Sequence, residues 1–330
     1  MTTRRALLRV LGAGALVVGT WPARGQQPIR IPRVGMLWSI GSNARFVAIA
    51  TGVFRQRLAE LGYVEGKTIL IDERFAEGSM PRLNELAHEL VASKVDIIVA
   101  TAVAATIAAQ QATSTIPIVM LNAGNPIGAG LIESLARPGG NVTGSSNIAL
   151  GGKLVELLHE LVPHLGKLAV LANPTNAAVP PARADIADAA RRFNISAVVH
   201  AEVTRAEDFA NAFAVIRNAR PDGLVVFAEP LIATHHAEVF DFAANARLPA
   251  IYDSGGMARF GGLIAYSPDY LEHYAMAAVY VDKILKGAKP ADLPVQQPTR
   301  LELIINLKTA KTLGLTIPQS VLARADEVIQ

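Results

Sequence analysis

The sequence of 330 residues contains no cysteine, so it forms no disulfide and offers no attachment site for a lipoprotein anchor. Its N-terminal apolar run, residues 10–19, is too short to span a bilayer, which requires about 20 residues. A basic excess is missing as well. Residues 1–25 carry four arginines and no acid, and the remainder has 27 basic and 28 acidic residues. No cluster of Lys and Arg is left to hold nucleic acid, so we expect no nucleic-acid partner.

The sequence also lacks the signatures of nucleotide and phosphate sites. No glycine fingerprint follows the apolar run that ends at Trp38. Gly62 and Gly66, followed by Lys67 and Thr68, resemble a phosphate loop, but three residues separate the glycines where four are required. The segment follows a predicted helix and precedes a predicted strand, which is typical of a simple turn. We therefore expect no nucleotide cofactor.

Signatures of hydrolytic and metal-dependent catalysis are incomplete. Ser254 lacks the first glycine of a nucleophile elbow. His235, His236 and Glu238 could place two metal ligands on one helical turn, but no third ligand accompanies them, and a solvated helix start explains them. These incomplete signatures predict a protein that is not an enzyme and that holds neither a cofactor nor a metal ion.

Residues 1–25 have the features of an export signal. Arg4 and Arg5 precede the short apolar run, and Ala23 to Gly25 provide small residues of the kind that signal peptidase reads. Adjacent arginines before a modest apolar core favour the twin-arginine route, with the general secretory route as the alternative. We predict cleavage between Gly25 and Gln26, and a mature protein in the periplasm.

The stretch of residues 96–126 shows how the mature chain is organised. A β-branched apolar run at 96–100 predicts a strand buried on both faces. An alanine-rich segment at 103–113 predicts a helix, and a second apolar run at 118–121 predicts the next strand. Strands that alternate with short helices predict βαβ units and a parallel sheet. Ligands bind beyond the carboxyl ends of such strands, near helix N-termini.

This alternation occurs in two consecutive series, which predicts an α/β fold of two Rossmann-like lobes with parallel sheets. We assign residues 31–146 to the first lobe and residues 147–265 to the second. Part of residues 266–290 is expected to return to the first lobe. Residues 291–330 would form a tail that crosses the hinge and packs on the lobes. Several crossings would make a hinge and a cleft able to close on a ligand.

Polar, aromatic and small residues at the predicted strand ends form the candidate ligand-binding site. They are Trp38, Ser39, Thr101, Ala102 and Asn125 from the first lobe, and Asn173, Glu229, Tyr252, Asp253 and Ser254 from the second. Backbone N–H groups of the helix after Thr101 and Ala102 suit a ligand carboxylate, whereas Glu229 or Asp253 suits a ligand donor. Core packing is the alternative role for the aromatic residues, and helix capping or turn formation is the alternative for the polar ones.

Five segments of the mature chain resemble a single family. They are residues 58–67 (LAELGYVEGK), 111–118 (QATSTIPI), 134–144 (SLARPGGNVTG), 280–294 (YVDKILKGAKPADLP) and 302–318 (ELIINLKTAKTLGLTIP). In combination they are specific, and the similarity extends over residues 31–330. The sequence is similar to the ABC-transporter substrate-binding family that includes the tryptophan- and tyrosine-binding proteins.

The resemblance implies a type I periplasmic-binding fold without catalysis. It also implies a monomer that delivers a small organic ligand, such as an amino acid or an aromatic or organic acid, to an ABC permease in the inner membrane. The cleft residues of the family fall at the strand ends named above. Members commonly have Asp-Pro where this chain has Asn125-Pro126. A neutral amide cannot pair with an α-ammonium group as a carboxylate does, so this departure makes an uncharged or anionic ligand easier to accommodate.

Two other functions stay open on the sequence. A sensory module would bind a ligand in the same cleft and report its occupancy to a membrane partner. An exported enzyme could use the same Rossmann-like lobes, but the missing glycine fingerprint and metal-ligand spacing speak against it. A permease and an ATPase encoded beside this gene would distinguish transport from sensing.

Replacing Arg4 and Arg5 together by lysine should block export, because the twin-arginine route reads the arginine pair. Cell fractionation, with the N-terminus of the exported protein determined, measures this. Unchanged secretion of a chain that begins near Gln26 would exclude the twin-arginine route and leave the general secretory one.

Overall fold

The computed structural model describes residues 30–42 and 45–330, so the predicted export signal and its cleavage site lie outside the described residues. The strands are β1 (Arg33–Trp38), β2 (Leu70–Phe75), β3 (Ile97–Thr101), β4 (Ile118–Ala123), β5 (Val142–Ser146), β6 (Lys167–Ala172), β7 (Ala197–Glu202), β8 (Gly223–Val226), β9 (Ala250–Tyr252), β10 (Ile264–Pro268), β11 (Leu301–Asn306) and β12 (Glu327–Ile329). The helices are α1 (Arg45–Glu60), α2 (Met80–Ala92), α3 (Ala102–Ala112), α4 (Gly151–Leu161), α5 (Val179–Arg192), α6 (Asp208–Ala219), α7 (Pro230–Thr234), α8 (His236–Asn245), α9 (Gly255–Arg259), α10 (Tyr270–Leu285), α11 (Leu307–Leu313) and α12 (Gln319–Leu322).

The first lobe is built on a five-stranded parallel sheet in the order β2-β1-β3-β4-β5. In the central strand β3, Ile97 and Val99 pack with α1 and α10 on one face of the sheet. Ile98 and Ala100 pack with α2 and α3 on the other face. Because both faces are covered by helices, the strand needs an unbroken apolar run, and the prediction of a doubly buried strand is confirmed.

The second lobe contains a seven-stranded sheet in the order β12-β11-β10-β9-β8-β6-β7. All neighbouring strands are parallel except β10 and β11, which are antiparallel. Leu168 and Val170 of β6 pack towards α4 and α5, whereas Ala169 and Leu171 pack towards α6 and α8. The helices therefore cover both faces of this sheet too, as they do in the first lobe.

Three connections join the two sheets. The chain passes from β5 to α4 at residues 147–150, and it returns between β10 and α10, which packs against α1, β4 and β5 of the first lobe. Val295 still belongs to the first-lobe core, and the next residue, Gln296, exchanges backbone hydrogen bonds with the end of β5. The chain then crosses once more to β11 in the second sheet. Three neighbouring connections form a hinge that permits the lobes to rotate.

Besides the elements at residues 96–121, the alternating pattern predicts helices at residues 127–136 and 235–246. The first of these predictions is wrong. Residues 127–136 form turns instead, and Gly130 (φ 70°) has a left-handed backbone conformation that an α-helix does not contain. The single helix predicted at residues 235–246 is preceded by the separate short helix α7, and the chain bends at His235 between α7 and α8. Three short elements, α9, α12 and β12, were not predicted from the sequence.

The chain turn at residues 62–68 is the simple connection that its sequence predicts. The Thr68 hydroxyl oxygen accepts a hydrogen bond of 2.7 Å from the Val64 N–H, which closes the turn between α1 and β2. Among the residues that the structure describes, none of the helices combines the length and hydropathy of a membrane span.

Gly144→Ala should destabilise the first lobe strongly. Gly144 lies in β5 at φ 125°, and an added Cβ would lie 2.2 Å from the carbonyl oxygen of Met120 on the neighbouring strand. Backbone atoms cannot yield as side chains do, so we expect a loss of about 2 kcal/mol or more in the free energy of unfolding, measured by urea denaturation. Gly140→Ala is the matched control because a Cβ there meets open space. Equal stability of the two variants would contradict the prediction.

Candidate ligand-binding site

A cavity of about 660 Å³ lies between the lobes, within the range of small-molecule sites. Segments that follow β1, β3 and β4 line it from the first lobe, and segments that follow β6, β8 and β9 line it from the second. The carboxyl ends of the parallel strands in both sheets therefore face the same cavity.

The structure brings seven of the ten predicted site residues to this cavity. They are Trp38, Ser39, Thr101, Ala102, Glu229, Asp253 and Ser254. Asn125, Asn173 and Tyr252 are not among its lining residues, and each has a different structural role.

Tyr252 is 1% exposed and lies in the core of the second lobe, where its ring and that of Phe240 form a T-shaped pair. Asn173 stabilises its own turn by accepting hydrogen bonds from the N–H and the hydroxyl of Thr175. Its amide also donates to the Glu229 carboxylate at 3.4 Å, so it helps to hold a residue that lines the cavity in place. Asn125 donates to the carbonyl oxygen of Ala177 at the edge of the cleft. The Asn125 side chain is thus outside the lining in this structure, and its effect on ligand choice stays a prediction.

Ser39 and Thr101 hold the ends of β1 and β3 together. The Ser39 N–H donates to the Thr101 hydroxyl oxygen at 3.1 Å, and the Ser39 hydroxyl donates to the Thr101 carbonyl oxygen at 2.7 Å. The Thr101 hydroxyl in turn donates to the carbonyl oxygen of Leu37. Both side chains are thus used within the protein, and they fix the backbone where helix α3 begins.

The N-terminus of α3 supplies the donors of the first lobe. Among the described residues no side chain caps it, so the backbone N–H groups of its first turn can donate to a ligand. Ala102 starts the helix with φ 66°, a conformation that costs an alanine about 1 kcal/mol or more and that the surrounding structure must hold in place. Uncapped donors and the helix dipole together favour an anionic group at this point.

Aromatic residues form the apolar part of the first-lobe surface. Trp38 is fully buried, its indole N–H donates to Glu73, and its ring stacks on Tyr274 with 5.5 Å between centroids. Phe46 meets Tyr274 edge to face at 5.8 Å. Phe46 and Tyr274 also line the cavity, and sequence reasoning missed both because they lie on helices and not at strand ends.

The second lobe contributes two carboxyl groups. Glu229 caps helix α7 by accepting from the Ile232 N–H at 3.0 Å, and Asp253 accepts from the Ala228 N–H at 2.7 Å. Burial is the largest cause that raises the pKa of each, and the neighbouring Glu229 adds to the rise that brings the pKa of Asp253 to about 7. No Lys or Arg stands among the lining residues in the described part of the chain. This surface therefore suits a cationic group.

Asparagine and tyrosine side chains complete the polar lining near the hinge. The side-chain oxygen Oδ1 of Asn122 is buried and has no hydrogen-bond partner among the described residues. The Tyr270 hydroxyl donates to the backbone carbonyl oxygen of Asp253 at 2.8 Å, and the amide of Asn147 donates to the same hydroxyl at 3.4 Å. Sequence reasoning missed these three residues, although Asn122 at the end of β4 had the signal of a polar strand end.

The histidines near the start of α8 follow the prediction of a solvated helix start. His235 pairs with Glu238 at 2.8 Å, and His236, which also lines the cavity, contacts the carbonyl oxygen of Ala233. Within the described ranges, no group of three or more His, Cys, Asp and Glu side chains has the arrangement of a metal site.

Asp253→Asn should alter the pH dependence of stability of the ligand-free protein. The pKa of Asp253 in the folded state is about 7, above its unfolded value near 4. The folded protein therefore loses stability as the pH rises from about 4 through 7, by up to a few kcal/mol. Asparagine retains the acceptor for the Ala228 N–H and should remove this loss, as urea denaturation at pH 5 and pH 8 will measure. Asp241→Asn, at an exposed position of α8, is the control, and identical pH profiles for Asp253→Asn and the parent would contradict the assignment.

Comparisons with known proteins agree with this geometry. A tyrosine-binding protein of Clostridioides difficile is 30% identical over 262 residues, which are 79% of this chain and 75% of the relative. A Streptococcus pneumoniae ABC domain in complex with L-Trp is 28% identical and superposes with a TM-score of 0.84 over 91% of this chain and all of its own. A ligand-free, open substrate-binding protein with adhesive properties from Clostridium difficile is 25% identical and superposes with a TM-score of 0.66 over the same shares.

The fold is the type I periplasmic-binding fold that the sequence resemblance predicts, with two mostly parallel sheets. The family model for ABC transporter substrate binding proteins matches residues 36–329, which is nearly the whole described chain. The chain belongs to the family of ABC transporter substrate-binding proteins.

Proposed function

We propose that this protein is the periplasmic binding component of an ABC importer and that it captures an aromatic amino acid for delivery to the permease. The observation that carries the proposal is the bipolar cavity. Its first-lobe surface ends in the uncapped N-terminus of α3, and its second-lobe surface presents Glu229 and Asp253 without a basic neighbour in the lining. A zwitterion satisfies both surfaces at once.

The ligand carboxylate would accept hydrogen bonds from the first turn of α3, where the helix dipole is favourable. The ligand ammonium would meet Asp253 and Glu229, and its charge would counteract the burial that raises their pKa values. Phe46 and Tyr274 provide aromatic surface for a ring. The names of the relatives, a tyrosine-binding protein and an L-Trp complex, support this class of ligand.

Binding groups on opposite lobes explain how capture would be signalled. A ligand that contacts both lobes stabilises the closed arrangement more than the open one, and the closed population rises by that difference in affinity. The permease would then recognise the closed form. We further propose export of the mature chain from residue 26 onwards and function as a monomer, because the family works outside the cytoplasm and the cavity is complete within one chain.

A truncated-ligand series tests the proposed function. Calorimetry should show binding of L-tryptophan or L-tyrosine. Removal of either charged group from the ligand should weaken binding about tenfold or more, because hydrogen bonds to charged groups contribute about 1.5–3 kcal/mol. Tryptamine removes the carboxylate, and indole-3-propionate removes the ammonium. Glu229→Gln and Asp253→Asn should weaken binding of L-tryptophan but not of indole-3-propionate, with Asp241→Asn as the surface control. Absence of binding by both amino acids, or tighter binding of indole-3-propionate, would overturn the proposal.

A further inference from the structure

The lobes touch each other at one edge of the cavity, where the segment after β4 meets the segment after β6. The Asn125 amide donates to the carbonyl oxygen of Ala177 at 3.2 Å. Next to this bond, Gly124 lies against Ala178. We call these four residues, Gly124, Asn125, Ala177 and Ala178, the rim contact.

Both sides of the rim contact are fixed by their own lobes. The Asn125 side-chain oxygen accepts from the Gly128 N–H at 3.1 Å, which orients the amide so that its N–H groups face the second lobe. On the other side, the Ala178 N–H donates to the side-chain oxygen of Asn176 at 3.0 Å. Ala177, although it follows a second-lobe strand, packs against the hydrophobic core of the first lobe. Two preformed surfaces therefore meet here.

The absence of a side chain at position 124 makes this approach possible. A Cβ on Gly124 would lie 2.3 Å from the Cβ of Ala178, about 1 Å or more inside the contact distance of two carbon atoms. Its other neighbours in the second lobe are the Ala178 Cα at 3.4 Å and N at 3.8 Å, which are ordinary contacts. Gly124 does not have a positive φ, so alanine is compatible with its backbone. One methyl group at position 124 thus obstructs the contact between the lobes without straining the lobe that carries it.

We propose that the rim contact is the stop that sets how far the lobes close, and that it thereby determines ligand affinity. The inference rests on the proposed function, because it takes closure around a ligand as the binding event. Asn125 contributes as a positioning residue that does not line the cavity. If the closed arrangement becomes less accessible, apparent affinity falls in proportion to its population.

A methyl-exchange experiment tests the proposal. Gly124→Ala should obstruct closure, and the double variant Gly124→Ala/Ala178→Gly should restore it, because the exchange moves one methyl group across the contact and removes the 2.3 Å clash. Gly140→Ala, on the same lobe and in open space, is the control. The restored double variant keeps the methyl group at position 124, so it separates obstructed closure from direct obstruction of the ligand. Circular dichroism melting confirms that each variant is folded.

Closure is measured directly with spin labels. The chain has no cysteine, so Lys67→Cys in the first lobe and Asp241→Cys in the second, both exposed positions, can be labelled without removing native thiols. The ligand-free parent should show a component at the interlobe distance of this structure. Gly124→Ala should lose that component, and the double variant should recover it. Calorimetry with L-tryptophan and L-tyrosine should show an affinity about tenfold or more lower for Gly124→Ala and a recovered affinity for the double variant.

Each outcome decides the proposal. A parent without the component at the interlobe distance of this structure, a Gly124→Ala variant with parental distances, or a double variant that fails to recover them would overturn the proposal. If neither amino acid binds the parent, the proposed ligand class fails, but the distance measurements on the ligand-free variants still decide whether the rim contact limits closure.

Discussion

Parallel pairing of the strands is the constraint on which the rest of this molecule depends. In a parallel sheet every strand ends at the same edge, and the helix that follows begins there with unpaired N–H groups. Two sheets of mostly parallel strands, joined by three crossings, face each other across one cleft. The residues that follow β1, β3, β6 and β9 are far apart in sequence, yet this rule alone brings them to one cavity. The site is a consequence of topology before it is a consequence of any particular side chain.

The architecture could be predicted from the sequence because it depends on the apolar pattern of whole segments and not on individual residues. The unbroken apolar run of β3 is required by helices on both faces, and that requirement is visible in Ile97–Thr101 without a structure. The turn region after Asn125 was predicted wrongly as a helix. Ile127, Leu131 and Leu135 follow one another at intervals of four residues, as on an apolar helix face. Leu131 is indeed buried, but Gly130 within the segment adopts a left-handed conformation that an α-helix does not contain.

The site was predicted less completely, for a geometric reason. Position at a strand end identifies a residue near the cleft, but it does not show whether the side chain points into the cavity, back into the lobe or across to the other lobe. Asp253, Tyr252 and Asn125 illustrate these three cases in turn. Residues that reach the cavity from a helix, such as Tyr274, carry no strand-end signal at all. Under the closure stop that we propose, a polar residue beside the cleft would govern binding through the contact between lobes while it remains outside the lining.

Under the proposed function, closure of the lobes and the charge of the ligand are coupled through the buried carboxyl groups of Glu229 and Asp253. Closing the lobes separates Glu229 and Asp253 from bulk water, and burial is already the main cause that raises the pKa of each. A buried charge without a partner is strongly unfavourable, whereas a paired one costs much less. An anionic ligand would require both groups to take up protons, and a neutral ligand without donors would leave them unpaired. An ammonium group removes that cost at the moment of closure. The second lobe would thus discriminate by penalising unsuitable ligands as well as by attracting suitable ones, which is how a single cavity would obtain specificity from two side chains.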